Sequence, residues 1–249
     1  MKLIIKNTIG LLLALILVIG FSGCATKAKP GQTTAFVDGG AMQNNPLLPF
    51  HKVWVDPEFD KFQYKKLYVE DVNTQYMVGL TDWEKGMRED EIKADVRQVA
   101  LYTRDAVKKA FREDPEQQLK IVDVLSKDPG TLILEIAITE VVPSKVALNV
   151  LGYAPFGIGM GIKLIRKMAD DVSTVSIEAR IRDAATGKIV AMLSDRNAQQ
   201  TTVVSAKDLS WYSHVHGIID NWALKLVKVA NRKPGETVKD TSSFTLKPW

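Results

Sequence analysis

Cys24 is the one cysteine of the 249-residue chain, so no intramolecular disulfide can form and any sulfur chemistry belongs to that position. Histidines are also few. His214 and His216 stand two apart; on a helix their rings point about 200° apart and cannot readily share a metal. On a strand they could, but His51 is the only further histidine and no second cysteine is there to help. Ordinary histidines at a helix start are the expected reading. Ser213 beside His214 invites a nucleophile and its base, yet adjacent helical side chains diverge. No Gly-x-Ser-x-Gly elbow occurs. Gly157, Gly159 and Gly161 suggest a phosphate cradle only superficially. No Gly-Lys-Ser/Thr follows them, and no Gly-x-Gly-x-x-Gly opens a helix after a strand. Trp54, Trp83, Trp211, Trp222 and Trp249 read more simply as core or helix-capping aromatics than as a sugar platform. The sequence predicts no catalytic residue, no metal site and no cofactor.

The stretch around those glycines, Leu148 to Ile162, is uncharged and, apart from Asn149, apolar. Two readings stay open. It is an insertion between strands that packs on its own domain, or an exposed apolar patch that touches a membrane or a partner. Lys163, Arg166 and Lys167 follow directly, the order expected of a loop dipping into an interface with cations at headgroup level. On the second reading Tyr153, Phe156, Ile158, Met160 and Lys163 are the contact residues. The packing reading is the plainer of the two.

The elements around Cys24 give it a context. Lys2 and Lys6 supply a positive start, and Ile9 to Gly20 is apolar throughout. That is the n-region and short h-region of a secretory signal, too short to span a bilayer comfortably, which takes about 20 apolar residues. Phe21-Ser22-Gly23-Cys24 then resembles a bacterial lipobox, with Phe21 where Leu is usual. The resemblance implies cleavage before Cys24, a diacylated sulfur and an acylated new amino terminus. Several acyl chains hold a protein lastingly, at roughly 0.8 kcal/mol per buried CH₂.

Removing residues 1–23 leaves 226, with 31 basic residues (Lys2 and Lys6 gone) against 29 acidic, a formal +2. Such a balance carries no nucleic-acid signature. The length suits one domain with appendages. Residues 24–49 have linker composition and read as a flexible tether. Residues 50–232 read as the domain, and 233–249 as a loose polar tail.

Within the domain, His51–Val55 and Lys66–Val72 read as strands. Thr81 and Glu84 have capping-box spacing, ahead of a helix with Ile92, Val96, Val99, Thr103, Ala106, Val107, Ala110 and Phe111 on one stripe. Asp114-Pro115 ends it. Leu119–Val124 and Thr131–Val142 read as strands. In Asp171–Asp183, Val175, Ile177, Ala179 and Ile181 oppose Ser176, Glu178, Arg180 and Arg182, one dry face and one wet face. Ala184–Gly187 turns the chain into a returning strand, Lys188–Arg196. Ser205–Asp208 repeats the capping-box pattern, and Val215, Ile218, Ile219, Trp222, Ala223, Leu226 and Val229 stripe a last helix. The expected fold is α+β: an antiparallel, possibly mixed, sheet with two amphipathic helices on one face, in two layers. In the mixed alternative the first helix is a crossover between parallel strands.

The Cys24 signal, the Leu67–Val72 strand, the Ile177–Gly187 hairpin and the Trp222-Ala223 helix are together similar to a family of bacterial envelope lipoproteins known by a domain of unknown function. The likeness covers roughly residues 24 to 232. It implies an envelope lipoprotein and supplies no activity. In enteric bacteria such proteins lacking Asp after the cysteine usually reach the outer membrane, and Ala25 fits that pattern. The expectation is a lipid-anchored envelope protein facing the periplasm, an accessory of a transport or assembly system that binds an envelope protein or a lipid. An envelope hydrolase with a site hidden from sequence, and a structural spacer, are the alternatives.

Overall fold

The computed structural model describes residues 28–77, 89–142, 172–200 and 215–240. Strands β1 (Lys52–Val55), β2 (Lys66–Val69), β3 (Lys120–Val122), β4 (Thr131–Val142), β5 (Val172–Asp183) and β6 (Ile189–Gln200) form one sheet, ordered β1-β6-β5-β4-β2-β3. Among the described residues, helices α1 (Glu89–Arg112) and α2 (Val215–Asn231) accompany the sheet, with a 3₁₀ turn at Lys61–Gln63. The β1/β6, β6/β5 and β5/β4 pairs are antiparallel; β2 runs parallel to both β3 and β4. The sheet is therefore mixed, and α1 carries the chain from β2 to its parallel neighbour β3.

Alternation decides what faces inward. Leu132, Leu134, Ile136 and Ile138 of β4 join Val175, Ile177 and Ala179 of β5 in the main core. A register shift between Ile138 and Glu140 then lets Val141 point inward as well, as a bulge re-aims a strand. Val99, Val107 and Phe111 of α1, and Val215, Ile218, Ile219, Trp222 and Ala223 of α2, cover that face. This is the α+β, two-layer arrangement expected. The β5–β6 hairpin is locked by its turn chemistry: Thr186 donates from N and Oγ1 to Asp183 Oδ1 at 2.7 and 2.9 Å. Gly187 supplies the positive φ, +74°, that the turn requires.

The other sheet face differs from the wet surface that alternation suggests. Glu178 is wholly buried and Ser176 nearly so. Their cover is the segment that composition reads as a tether. Thr34 donates from its amide and its hydroxyl to the two Glu178 oxygens, 2.6 Å each. Phe36, Val37 and Met42 pack with Ala137 and Met192 in a second, smaller core. Arg180 lies over the Phe36 ring, 4.4 Å from its centroid, and is paired with Glu135. A polar segment can dock here because a polar sheet face offers it hydrogen-bond partners that water would otherwise supply. The tail is likewise held as far as residue 240: Val238 is buried and donates its amide to Leu47 O at 2.9 Å.

Candidate functional site

Among the described residues the inner layer leaves a gap at one end. Where the last turn of α2 passes the 3₁₀ turn, a cavity of about 430 Å³ remains between sheet and helix. That lies within the range of small-molecule sites. Leu67, Leu132, Leu134, Ala179 and Leu193 form its floor, Phe111, Leu119 and Leu226 its roof. Val55 and Phe62, each 46% exposed, stand where it meets solvent. The wall is largely apolar, and one lining residue, Gln118, carries a buried Nε2 with no hydrogen-bond partner among the described residues. The preceding residue, Gln117, holds φ at +46°, a left-handed conformation that is uncommon for a residue with a Cβ.

Cations rim this cavity. Lys61, Arg232 and Lys233 all line it. Lys61 Nζ donates to the carbonyls of Val229 (3.3 Å), Ala230 (2.7 Å) and Arg232. It thereby caps the carbonyl end of α2 and offsets the negative pole of its dipole. Burial, and after it the positive charge of Arg232, holds the Lys61 ammonium below the usual lysine range.

A second constellation sits between β1, β6 and α2. His51 Nδ1 lies 2.6 Å from Asp195 Oδ1, and His51 Nε2 lies 2.8 Å from the Ala28 carbonyl. The other Asp195 oxygen accepts from Trp222 Nε1 at 2.8 Å and from Asn197 Nδ2 at 3.2 Å. Lys225, 1% exposed, stands 3.8 Å from Asp195 Oδ2 and is ion-paired with Asp240. A carboxylate behind an imidazole is the orientation a general base needs. Here the outward nitrogen meets a main-chain carbonyl instead of a substrate hydroxyl. The cluster fastens the amino-terminal segment and the carboxyl-terminal tail to the sheet.

Cys24, Tyr153, Phe156, Ile158, Met160, Lys163, Ser213 and His214 lie outside the described residues, as do both capping boxes. His216 falls in the first turn of α2, where its ring stacks on Tyr102 with centroids 3.8 Å apart. Trp222 is a core residue, and Trp54 packs against the smaller core. Among the described residues no group of three or more His, Cys, Asp or Glu is placed to hold a metal. None of the helices among them is long and apolar enough to cross a membrane. Sequence reasoning missed Lys61, Gln118, Arg232 and Lys233. Nothing in the chain order brings them together, since Lys61, Gln118 and the Arg232-Lys233 pair come from three separate loops or helix ends. His51 was visible only as a distant third histidine.

The chain belongs to the family described as protein of unknown function DUF3313, whose model matches residues 44–226. No curated protein matches it. Among solved structures it is similar to the PelC dodecamer from Paraburkholderia phytofirmans, at 10% identity and a TM-score of 0.37, covering 70% of this chain and 94% of that one. A point variant of that dodecamer from the same organism gives 10% identity and a TM-score of 0.36, covering 70% and 93%.

Proposed function

We propose that this is a lipid-anchored cell-envelope protein, facing the periplasm from the outer membrane, that works by binding rather than by catalysis. Its ligand is an apolar or amphiphilic molecule held in the cavity between sheet and α2. The cavity carries the reading: about 430 Å³ of space walled by core side chains, with an unpartnered amide nitrogen at Gln118. A buried donor without a partner costs about 1–3 kcal/mol, which a ligand oxygen would recover. The signal ending at Cys24 supports the anchor, and with it a place beside the lipids that such a cavity suits.

Native mass spectrometry of the full chain purified from membranes tests the ligand, alongside titration with a fluorescent fatty acid. Saturable binding is expected, reduced at least tenfold in Ala191→Phe, which puts a ring in place of a small residue of the cavity lining. Absence of binding by the wild-type chain would overturn the reading. The intact mass tests the anchor: a mature chain starting at residue 24 and carrying acyl groups is expected, and a free thiol there would refute it.

A further inference from the structure

We propose that the occupant carries an anionic headgroup, seated in a basic basin that continues the apolar cavity past residues 232–234. This rests on the cavity being a ligand site and adds the class of ligand. The basin, about 710 Å³, shares Arg232, Lys233 and Pro234 with the cavity and is lined further by Lys228 and Lys239. Apolar space and charged space thus meet along one short segment, which matches the two halves of an amphiphile. Among the described residues, four cations line the basin against two carboxylates, Glu116 and Glu236. Glu236 is already engaged, accepting from the Lys233 amide at 2.9 Å.

Two further observations fit an anion. The carbonyl end of α2 would repel one, but Lys61 occupies those carbonyls. Gln118 Nε2, buried and unpartnered, offers a donor at the wall of the cavity two residues from Glu116 of the basin. A phosphate or carboxylate at the junction would accept from it while facing Arg232 and Lys233. Burial, and after it the charge of Arg232, holds the Lys61 ammonium low, and an incoming negative charge would favour that ammonium.

The test uses the purified full chain and displacement of the fluorescent fatty acid by twelve-carbon amphiphiles. Dodecyl phosphate is expected to compete on the order of tenfold better than dodecanol. The double variant Lys228→Glu/Lys239→Glu, at two exposed positions that line the basin and not the cavity, should abolish that preference and leave dodecanol unchanged. Inorganic phosphate at the same concentrations should not compete. Equal competition by both amphiphiles, or equal loss of both in the variant, would overturn the headgroup assignment while the cavity reading survives. Competition by inorganic phosphate as strong as by dodecyl phosphate would make the basin a free-anion site and also overturn it. Failure of every amphiphile to compete would remove the cavity reading itself.

Discussion

Thr34 grips Glu178 with two donors at once, its amide on one carboxylate oxygen and its hydroxyl on the other, both at 2.6 Å. The pair joins residues 144 apart and fastens the amino-terminal segment across the middle of the sheet. Glu178 is fully buried, so a lost donor is not replaced by water. Thr34→Val should cost about 1–3 kcal/mol. Chemical denaturation checks the magnitude, and hydrogen exchange should rise across residues 28–42 before the rest of the sheet. Unchanged exchange there would refute the grip.

Lys225 lies between Asp195 and Asp240 at 1% exposure. Lys225→Met keeps the length of the side chain and removes its charge. Two carboxylates are then left without their shared cation, one of them fully buried. The expected loss is about 3–5 kcal/mol, read as a fall in the denaturant midpoint at pH 7. A neutral effect would show that the ion pair contributes nothing net.

Gly130 precedes β4 with φ at +78°, and a Cβ placed there would lie 3.2 Å from Gln63 O. Its carbonyl accepts from the amides of both Lys65 and Lys66. Gly130→Ala should therefore cost about 1–2 kcal/mol from the left-handed backbone, seen as a lowered melting temperature. Gly187→Ala, with open space around the Cβ, should be the milder of the two.

Tyr64 and Tyr102 should titrate late, above the ordinary tyrosine range. Burial first, and then hydrogen bonds to Asp183 and Asp220 at 2.7 and 2.8 Å, push each phenol up to about 12. Because the folded values lie above the unfolded value of about 10, their contribution is whole below pH 10 and is lost as pH rises toward 12. Absorbance of phenolate against pH should show a late phase that loses amplitude in Tyr64→Phe and in Tyr102→Phe. A phase that is complete near pH 10 would contradict this.

Much of the fold was legible because its signals are local. Alternation in Thr131–Val142 and in Val172–Asp183 placed the inward face correctly, and the α2 stripe named most of the helix residues that are buried there. The outer face was misleading for a physical reason. Glu178 and Ser176 alternate like solvated residues, and only the arrival of Thr34 and Phe36 from far away in the chain buries them. Nor could composition separate a docked segment from a loose one, since three apolar side chains, Phe36, Val37 and Met42, suffice to hold it. The cavity was invisible for the same reason. Its rim draws on Lys61, Gln118 and Arg232, which come together only when the 3₁₀ turn, the α1 exit and the α2 end are packed.

The docked amino-terminal segment has a mechanical corollary. With Ala28 held by His51 and Thr34 by Glu178, the leash from Cys24 to the folded body, were Cys24 lipidated as proposed, would be four residue steps long. Fully stretched, that is about 14 Å, against the wider excursion of a free linker. A body so closely moored would present a restricted set of orientations to the bilayer, and unfastening the Thr34 grip would lengthen its radius of action without altering the core.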